Sequence, residues 1–106
     1  ERILVRERGQ IIPVQTRQIS YLKADAKYTA LVTGGKTYLI RLGISELEQR
    51  LDPSRFIRIH RSVMVNLDFV QTMKTDEQSQ LQMHMDDGAV LTANREVSRQ
   101  LRDQVM

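Results

Sequence analysis

Arginine residues are concentrated in two parts of this sequence, and their spacing indicates where the chain can bind anions. Residues 54–66 contain three arginines and a histidine but no acidic residue. Arg95, Arg99 and Arg102 follow i, i+4, i+7 spacing, which places them on one face of a helix. A guanidinium group can donate two parallel hydrogen bonds to a phosphate or carboxylate. Each group alone is also explained as a solvated surface, but together they predict separate anion-binding spots.

The overall composition limits the class of protein. The 106 residues carry 16 Lys and Arg against 13 Asp and Glu, a net charge of +3 that is too small to identify a partner. This length fits one domain, residues 1–106, that can bury its own core. No apolar run approaches the roughly 20 residues of a membrane helix, so we expect no membrane contact. The absence of cysteine excludes disulfides and thiolate metal sites, and fits an intracellular domain.

No group of residues has the pattern of a catalytic centre. The histidines, His60 and His84, have no cysteine partners, and we expect His84 to be exposed on a polar strand face. Asp86 and Asp87 precede Gly88, which is typical of a turn rather than of a general acid–base pair. The sequence also lacks a glycine-rich phosphate-binding loop. We therefore expect no enzyme activity, no cofactor and no bound metal.

Hydrophobic alternation predicts mainly β-strands. The consecutive glycines Gly34 and Gly35 predict a type I′ hairpin turn, because both of its central positions need positive φ. Asp87 and Gly88 predict a second tight turn near the C-terminal end. The predicted strands lie over residues 1–9, 11–14, 19–24, 28–33 and 36–40, with two or three more between 69 and 92.

Two helices are predicted from capping and apolar spacing. Ser45 with Glu48 three residues later matches a capping box, so Ser45 is the expected N-cap of a short helix. Asn94 is suited to cap a final helix. Its buried stripe is expected to consist of Val97, Leu101 and Val105.

Residues 56–70 break the strand pattern. Continued alternation places Arg58 and His60 together on a polar face, but it places Arg61 on the apolar face. Burying an unpaired guanidinium costs several kcal/mol. We therefore expect the strand to break at His60-Arg61-Ser62 and to turn these side chains outward. A bulge whose arginine extends to solvent is the alternative interpretation.

The segment Phe-Ile-Arg-Ile-His-Arg-Ser-Val-Met-Val-Asn-Leu at residues 56–67 resembles the signature of LytTR-type DNA-binding domains of bacterial response regulators. The Ile-Ser-Tyr-Leu-Lys-Ala segment, the Gly-Gly hairpin, the Ile-Ser-Glu-Leu-Glu helix and the closing Asp-Gly turn and Asn-Arg helix start follow in the family's order. The resemblance covers nearly the whole chain. It implies a mainly β fold of elongated antiparallel β-sheets, with one short internal helix and a C-terminal helix, that contacts DNA through loops.

The resemblance implies that three loops reach DNA, reading bases in two successive major grooves. In the first, residues 25–29, Thr29 occupies the base-reading place. In the second, Arg61 is suited to guanine, because its fork can pair with O6 and N7 together. In the third, Arg95 is retained, while Asn94 replaces the family's usual serine.

Other residues are expected to contact the DNA backbone or to support the base readers. Lys27 and Tyr28 are also explained as ordinary hairpin residues, and Arg99 as a solvated helix residue. Asn66 is expected to satisfy backbone groups where the chain leaves its strand. The complete supporting set is Lys27, Tyr28, Arg58, His60, Ser62, Asn94 and Arg99.

The sequence is therefore interpreted as a cytoplasmic, sequence-specific double-stranded DNA-binding domain of a bacterial transcription regulator. We expect a mainly monomeric isolated domain that forms dimers on a direct-repeat DNA site. The resemblance implies that a receiver or other sensor domain precedes Glu1, which would make this chain a C-terminal fragment. The alternative from another class is a β-rich protein-interaction module whose basic spots bind an acidic partner.

Overall fold

The computed structural model describes residues 1–106 and consists mainly of antiparallel strands. Two 3₁₀ turns, Thr16–Gln18 and Leu67–Phe69, each precede a strand. The strands are β1 Arg2–Glu7, β2 Gln10–Gln15, β3 Ile19–Asp25, β4 Tyr28–Thr33, β5 Lys36–Ile40, β6 Phe56–His60, β7 Val63–Asn66, β8 Val70–Thr75, β9 Leu81–Met85 and β10 Val90–Thr92. The helices are α1 Ile44–Glu48 and α2 Arg95–Arg102.

Three sheets form an elongated body of 45 × 24 × 22 Å. β1 pairs with β2, the central sheet has the order β5-β4-β3-β7-β6, and the third sheet has the order β10-β9-β8. Every pairing is antiparallel. The predicted fold class, with its short internal helix and its C-terminal helix, is confirmed.

The central sheet separates two hydrophobic cores because its strands alternate side chains between two faces. The first core contains Leu22 and Met64 and lies against the β1–β2 hairpin and α1. The second core contains Val63 and Val65 and lies against the third sheet. All four residues of β7 are consequently buried. The predicted role of Asn66 is confirmed, since its Nδ2 donates to the Ile19 carbonyl at 2.9 Å and its Oδ1 accepts from the Asp68 amide at 3.0 Å.

A β-bulge in β6 corrects the prediction that Arg58 and His60 share a face. Arg58 lies opposite Met64, whereas His60 lies opposite Val63, so one extra residue is inserted between them. Met64 faces the first core and Val63 the second. Because directly opposed residues project from the same face of a sheet, Arg58 and His60 project to opposite sides.

Two predicted local motifs are wrong in detail. The first helix begins after Gly43, which has no side chain to cap it, and Ser45 lies inside the helix rather than at its N-cap. The Gly34–Gly35 hairpin is present, since Thr33 pairs with Lys36. Neither of these glycines has a positive φ, so the turn is not type I′. Gly9 and Gly88 are the glycines with positive φ, +75° and +92°.

The last helix confirms its predicted cap but not its whole apolar stripe. The Asn94 side chain accepts a hydrogen bond from the Val97 amide at 2.8 Å. The helix ends at Arg102, so Val105 lies beyond it and is 76% exposed. The buried residue of the helix is instead Ser98, whose Oγ accepts from the Leu81 amide. Neither helix is long and apolar enough to cross a membrane.

His84 is half-buried rather than exposed as predicted. It lies in the middle strand of the third sheet, opposite Val90 on one side and Thr72 on the other. Its Nε2 atom is buried and has no hydrogen-bond partner. Because strands pair with β9 on both sides, their side chains cover part of His84, which the alternation pattern alone does not indicate.

Candidate nucleic-acid interface

Backbone hydrogen bonds bring the three predicted DNA-contacting loops together. The Ala24 amide, near the β3–β4 turn, donates to the Ser62 carbonyl in the β6–β7 turn at 2.8 Å. The Asn94 amide, at the start of α2, donates to the Ile59 carbonyl just before that same turn, also at 2.8 Å. The β6–β7 turn is therefore the central element, with the end of β3 bonded on one side and the start of α2 on the other.

The β6–β7 turn presents Arg61 to solvent. The strand ends at His60 and the chain resumes a strand at Val63, so the predicted break is confirmed. The Arg61 side chain is exposed and forms no hydrogen bond or ion pair. The Ser62 amide donates to His60 Nδ1 at 3.2 Å, and Ser62 Oγ lies 3.0 Å from the same nitrogen. These contacts fix the turn and leave Arg61 free to bind a partner.

Arg58 holds the β6–β7 turn from the other face of the sheet. Its Nε donates to the His60 carbonyl at 3.1 Å, and its Nη2 donates to the Arg61 carbonyl. Its Nη1 lies 2.9 Å from Glu48 Oε1, in an ion pair with α1, and 3.3 Å from Ser45 Oγ. The Arg58 side chain is only 22% exposed. The guanidinium is thus engaged with the protein, an arrangement that matches the supporting half of the role expected for Arg58.

The β3–β4 turn is less constrained. Ala26 adopts a positive φ of 54°, a conformation that residues other than Gly, Asn and Asp rarely take. Lys27 is exposed and forms no ion pair. The Tyr28 ring is 40% exposed and lies 5.5 Å from the Arg41 guanidinium carbon, a cation–π arrangement. The turn thus offers a cation and an aromatic ring at its surface.

Thr29 lies beneath this turn rather than on its surface. It is 1% exposed, and its Oγ1 donates to the Leu42 carbonyl at 2.7 Å. Its cross-strand partner Ile40 packs against the first core. This arrangement does not fit the predicted base contact, because the Thr29 hydroxyl is buried and already donates its hydrogen to the Leu42 carbonyl. Residues 25–28 of the loop are exposed, and among them Lys27 and Tyr28 are the candidate DNA contacts.

The start of α2 presents Arg95. The side chain is exposed and forms no ion pair. It borders a surface groove of about 440 Å³ that is also lined by residues from the β8–β9 turn. Arg102 closes the far side of this groove and donates from Nη1 to the Ser79 carbonyl at 2.8 Å. Arg102 was not predicted as a site residue, although its i+7 spacing from Arg95 placed it on the same helix face.

Arg99 is paired within its own helix. Its Nη2 lies 2.6 Å from Glu96 Oε2, and its Nη1 lies 3.4 Å from Asp103 Oδ2. The hydrogen bond from Arg99 to Glu96, together with the negative charge of that carboxylate, raises the pKa of Arg99 above its ordinary value. Both terminal nitrogens of the Arg99 guanidinium are therefore in contact with carboxylates of its own helix segment.

A second groove, of about 340 Å³, lies beside the β6–β7 turn. His60 and Ser62 line it together with Lys23, Gln80 and Thr92. Lys23 is a candidate contact that was missed from the sequence, although strand alternation could have indicated it. It pairs with Val63 across the sheet and is exposed at the end of β3 nearest the turn. The structure contains no group of three or more metal-ligating side chains.

Comparison with known proteins shows the family. Residues 9–106 match the model of the LytTr DNA-binding domain. The chain belongs to the LytTr DNA-binding family. The resemblance seen in the sequence is thereby confirmed, and the LytTr domain is a DNA-binding domain of transcription regulators.

Similar proteins support this assignment. The heme-containing CO-sensing transcriptional regulator RcoM 2 of Paraburkholderia xenovorans is 32% identical over 96% of this chain and 39% of its own length. The sensory transduction protein LytT of Bacillus subtilis is 26% identical over 87% of this chain and 38% of its own length. The LytTr DNA-binding domain of a putative methyl-accepting/DNA response regulator from Bacillus cereus superimposes with a TM-score of 0.86, at 25% identity, over 96% of this chain and 94% of that one. The chain thus spans less than two fifths of both full-length relatives.

Proposed function

We propose that this LytTr domain binds double-stranded DNA sequence-specifically, with Arg61 and Arg95 as its base-reading residues. The observation that carries the proposal is the pair of exposed arginines without protein partners on neighbouring elements. The backbone hydrogen bond from Asn94 to Ile59 joins these elements. Each guanidinium can pair with O6 and N7 of guanine in the major groove.

The family resemblance implies base reading in two successive major grooves, and we include this in the proposal, with phosphate contacts between the grooves. One turn of B-DNA measures about 34–36 Å along its axis, and the 45 Å body is long enough to follow the duplex over that distance. Phosphate contacts do not encode sequence, but they fix the register of the protein on the duplex.

The remaining candidate residues divide by whether their side chains are free. Lys27 and Tyr28 contact DNA from the first loop, in place of the buried Thr29. Ser62, His60 and Asn94 lie next to the two base readers and contact the DNA backbone. Arg58 and Arg99 support the interface, because their guanidinium groups are engaged by protein oxygens.

The wider context of the domain is also part of the proposal. A contact area of three short loops is small, so pairing on a direct-repeat site increases affinity and selectivity, while the isolated domain stays mainly monomeric. We infer a receiver or other sensor domain before Glu1, and action in the cytoplasm without an enzymatic step. The support is that the relatives are longer and that their names describe sensing and sensory transduction.

The first experiment selects bound sequences from a random duplex pool. The second measures competition between the selected duplex and a scrambled one at moderate salt for Arg61→Ala and Arg95→Ala. We expect a loss of about 1–3 kcal/mol at particular base pairs, with scrambled DNA bound as before. Arg2→Ala, an exposed arginine on β1, is the matched control. If both variants bind every duplex as the parent does, base reading by these residues is excluded and the protein-interaction alternative gains support.

A further inference from the structure

A groove between β1 and β5 combines exposed leucines with unpaired arginines. Leu4 is 69% exposed and Leu39 is 61% exposed. Arg6, Arg41 and Arg50 complete the rim, Tyr28 borders the groove where it meets the first DNA-contacting loop, and no acidic side chain lines it. None of these arginines forms an ion pair, although Arg41 stacks on the Tyr28 ring. We call this surface, defined by Leu4, Arg6, Leu39, Arg41 and Arg50, the basic groove.

The turn between β9 and β10 has the opposite charge. Asp86 and Asp87 are exposed there, and neither pairs with a cation. The Asp86 amide donates to the Phe69 carbonyl at 2.9 Å, which fixes the turn against the segment that carries Asp68. We call Asp86 and Asp87 the acidic tip. The tip follows Met85 of the second core, whereas the basic groove is built on Ile3 of the first core.

We propose that the basic groove of one copy binds the acidic tip of a second copy on an adjacent DNA half-site. The two surfaces belong to cores on opposite faces of the central sheet, so a chain cannot fill its own groove. Copies on a direct repeat are related by translation along the duplex axis and rotation about it, with no two-fold axis between them. Two different surfaces must therefore meet at their contact. A two-fold symmetric dimer through the groove would instead oppose arginine to arginine.

The contact is expected to act only on DNA. Solvent-exposed ion pairs contribute little to association by themselves, so the isolated chain stays monomeric. Two copies held on one duplex have an effective concentration in the millimolar range, where a weak contact becomes significant. The leucines of the groove exclude water around the ion pairs and strengthen them. This inference rests on the proposed direct-repeat binding.

The test compares duplexes that carry one or two copies of the selected site, with affinity measured by fluorescence anisotropy. We expect the parent to bind the second site about tenfold more tightly than the first, within the 5- to 150-fold range usual for coupled sites. Inserting about 5 bp turns the second site to the opposite side of the duplex and removes the effect. Independent binding of the parent to both sites overturns the proposal, while single-site selectivity still tests the proposed function separately.

Reversing the charges of the basic groove and of the acidic tip tests whether these two surfaces meet. Arg6→Glu with Arg50→Glu, and separately Asp86→Arg with Asp87→Arg, should each reduce the cooperativity to about onefold. Mixing one variant of each type should restore it where the reversed groove meets the reversed tip. Arg2→Glu on the same strand as Arg6, outside the groove, should change nothing. Failure of the mixed pair, or an equal loss with Arg2→Glu, overturns the assignment of the surfaces.

A test variant and a matched control probe the apolar part of the basic groove. Leu39→Ser should reduce the cooperativity by a few-fold, because it removes the exposed apolar side chain beside Arg41. Ile11→Ser serves as the control, since Ile11 is 59% exposed but lies outside the groove. An equal reduction by both variants would show that the groove has no special role.

Discussion

The β6–β7 turn and the β3–β4 turn are neighbours, but they are constrained to very different degrees. The first is held by the Arg58 guanidinium, by the contacts between His60 and Ser62, and by a backbone bond to β3. The second has no side-chain hydrogen bond within residues 25–28 and has Ala26 in an unfavourable conformation. The β6–β7 turn is therefore the more preorganised of the two, which suits the base-reading role proposed for Arg61, whereas the β3–β4 turn has fewer contacts that fix its conformation.

Preorganisation matters because ordering a loop on binding reduces affinity. A turn fixed before binding holds its arginine in one place, so a mismatched base leaves guanidinium donors unpaired. A turn with fewer fixed contacts can place its lysine beside any nearby phosphate. We therefore expect selectivity to depend mainly on the β6–β7 turn, and general affinity to depend more on the β3–β4 turn.

The largest effect is expected from Arg58→Met, which releases the constrained turn. The change leaves the His60 and Arg61 carbonyls and Glu48 without their charged donor. We expect the free energy of unfolding to fall by about 2 kcal/mol in a denaturant titration, since hydrogen bonds to charged groups contribute about 1.5–3 kcal/mol. DNA selectivity should fall to that of Arg61→Ala.

Two variants serve as controls for this result. Arg58→Lys should recover little of the stability and selectivity lost in Arg58→Met, because an ammonium group cannot replace the planar, forked guanidinium. Arg55→Met removes an exposed ion pair with Asp68 and should cost at most about 1 kcal/mol. Unchanged selectivity in Arg58→Met would contradict the positioning role and favour a direct phosphate contact.

The next effect is expected from Thr29→Val, at the base of the less constrained turn. The substitution keeps the shape but leaves the Leu42 carbonyl unpaired in a buried place. We expect stability to fall by about 1–2 kcal/mol in thermal or denaturant unfolding, without a change in base preference. Thr29→Ser keeps the hydroxyl and should be milder. A base-specific binding loss at unchanged stability would instead restore Thr29 as a base reader.

A smaller effect of opposite sign is expected from Ala26→Gly. Glycine has no Cβ and therefore adopts positive φ without steric cost. Relief of this strain exceeds the added chain entropy, so we expect stability to rise by about 0.5–1 kcal/mol. Gln10→Gly, at a β2 position with ordinary backbone angles, should destabilise. Destabilisation by Ala26→Gly would show that the turn is more constrained than its geometry indicates.

The smallest changes in stability, below about 0.5 kcal/mol, are expected from Lys27→Ala and Arg99→Ala. The two variants should differ in the salt dependence of DNA binding. Lys27 is free to neutralise a phosphate, so its removal should lower the slope by about 1. Arg99 is held by Glu96 and Asp103, so its removal should lower the slope less. The reverse order would show that those ion pairs open on binding.

Local patterns predicted much of the fold. The strand pairs, the turn at residues 60–62 and the Asn94 cap depend on alternation, turn residues and a side chain that reaches its own helix. The predictions that failed in detail are also local. Ser45 can lie at a helix N-cap or inside a helix, and a Gly-Gly turn can adopt more than one turn type. Val105 falls outside the stripe because α2 ends earlier than its apolar spacing indicates.

The sequence by itself determined the family and the mainly β architecture, and it singled out Arg61 and Arg95 as the candidate base readers. It could not determine which polar residues remain available to DNA, since that depends on contacts between segments distant in the chain. The Thr29 hydroxyl donates its hydrogen bond to the Leu42 carbonyl. The Arg58 guanidinium donates to two turn carbonyls and pairs with Glu48. One inserted residue in β6 moved His60 to the opposite face from Arg58. A strand's side-chain period is two, so only the tertiary pairing could decide that change of face.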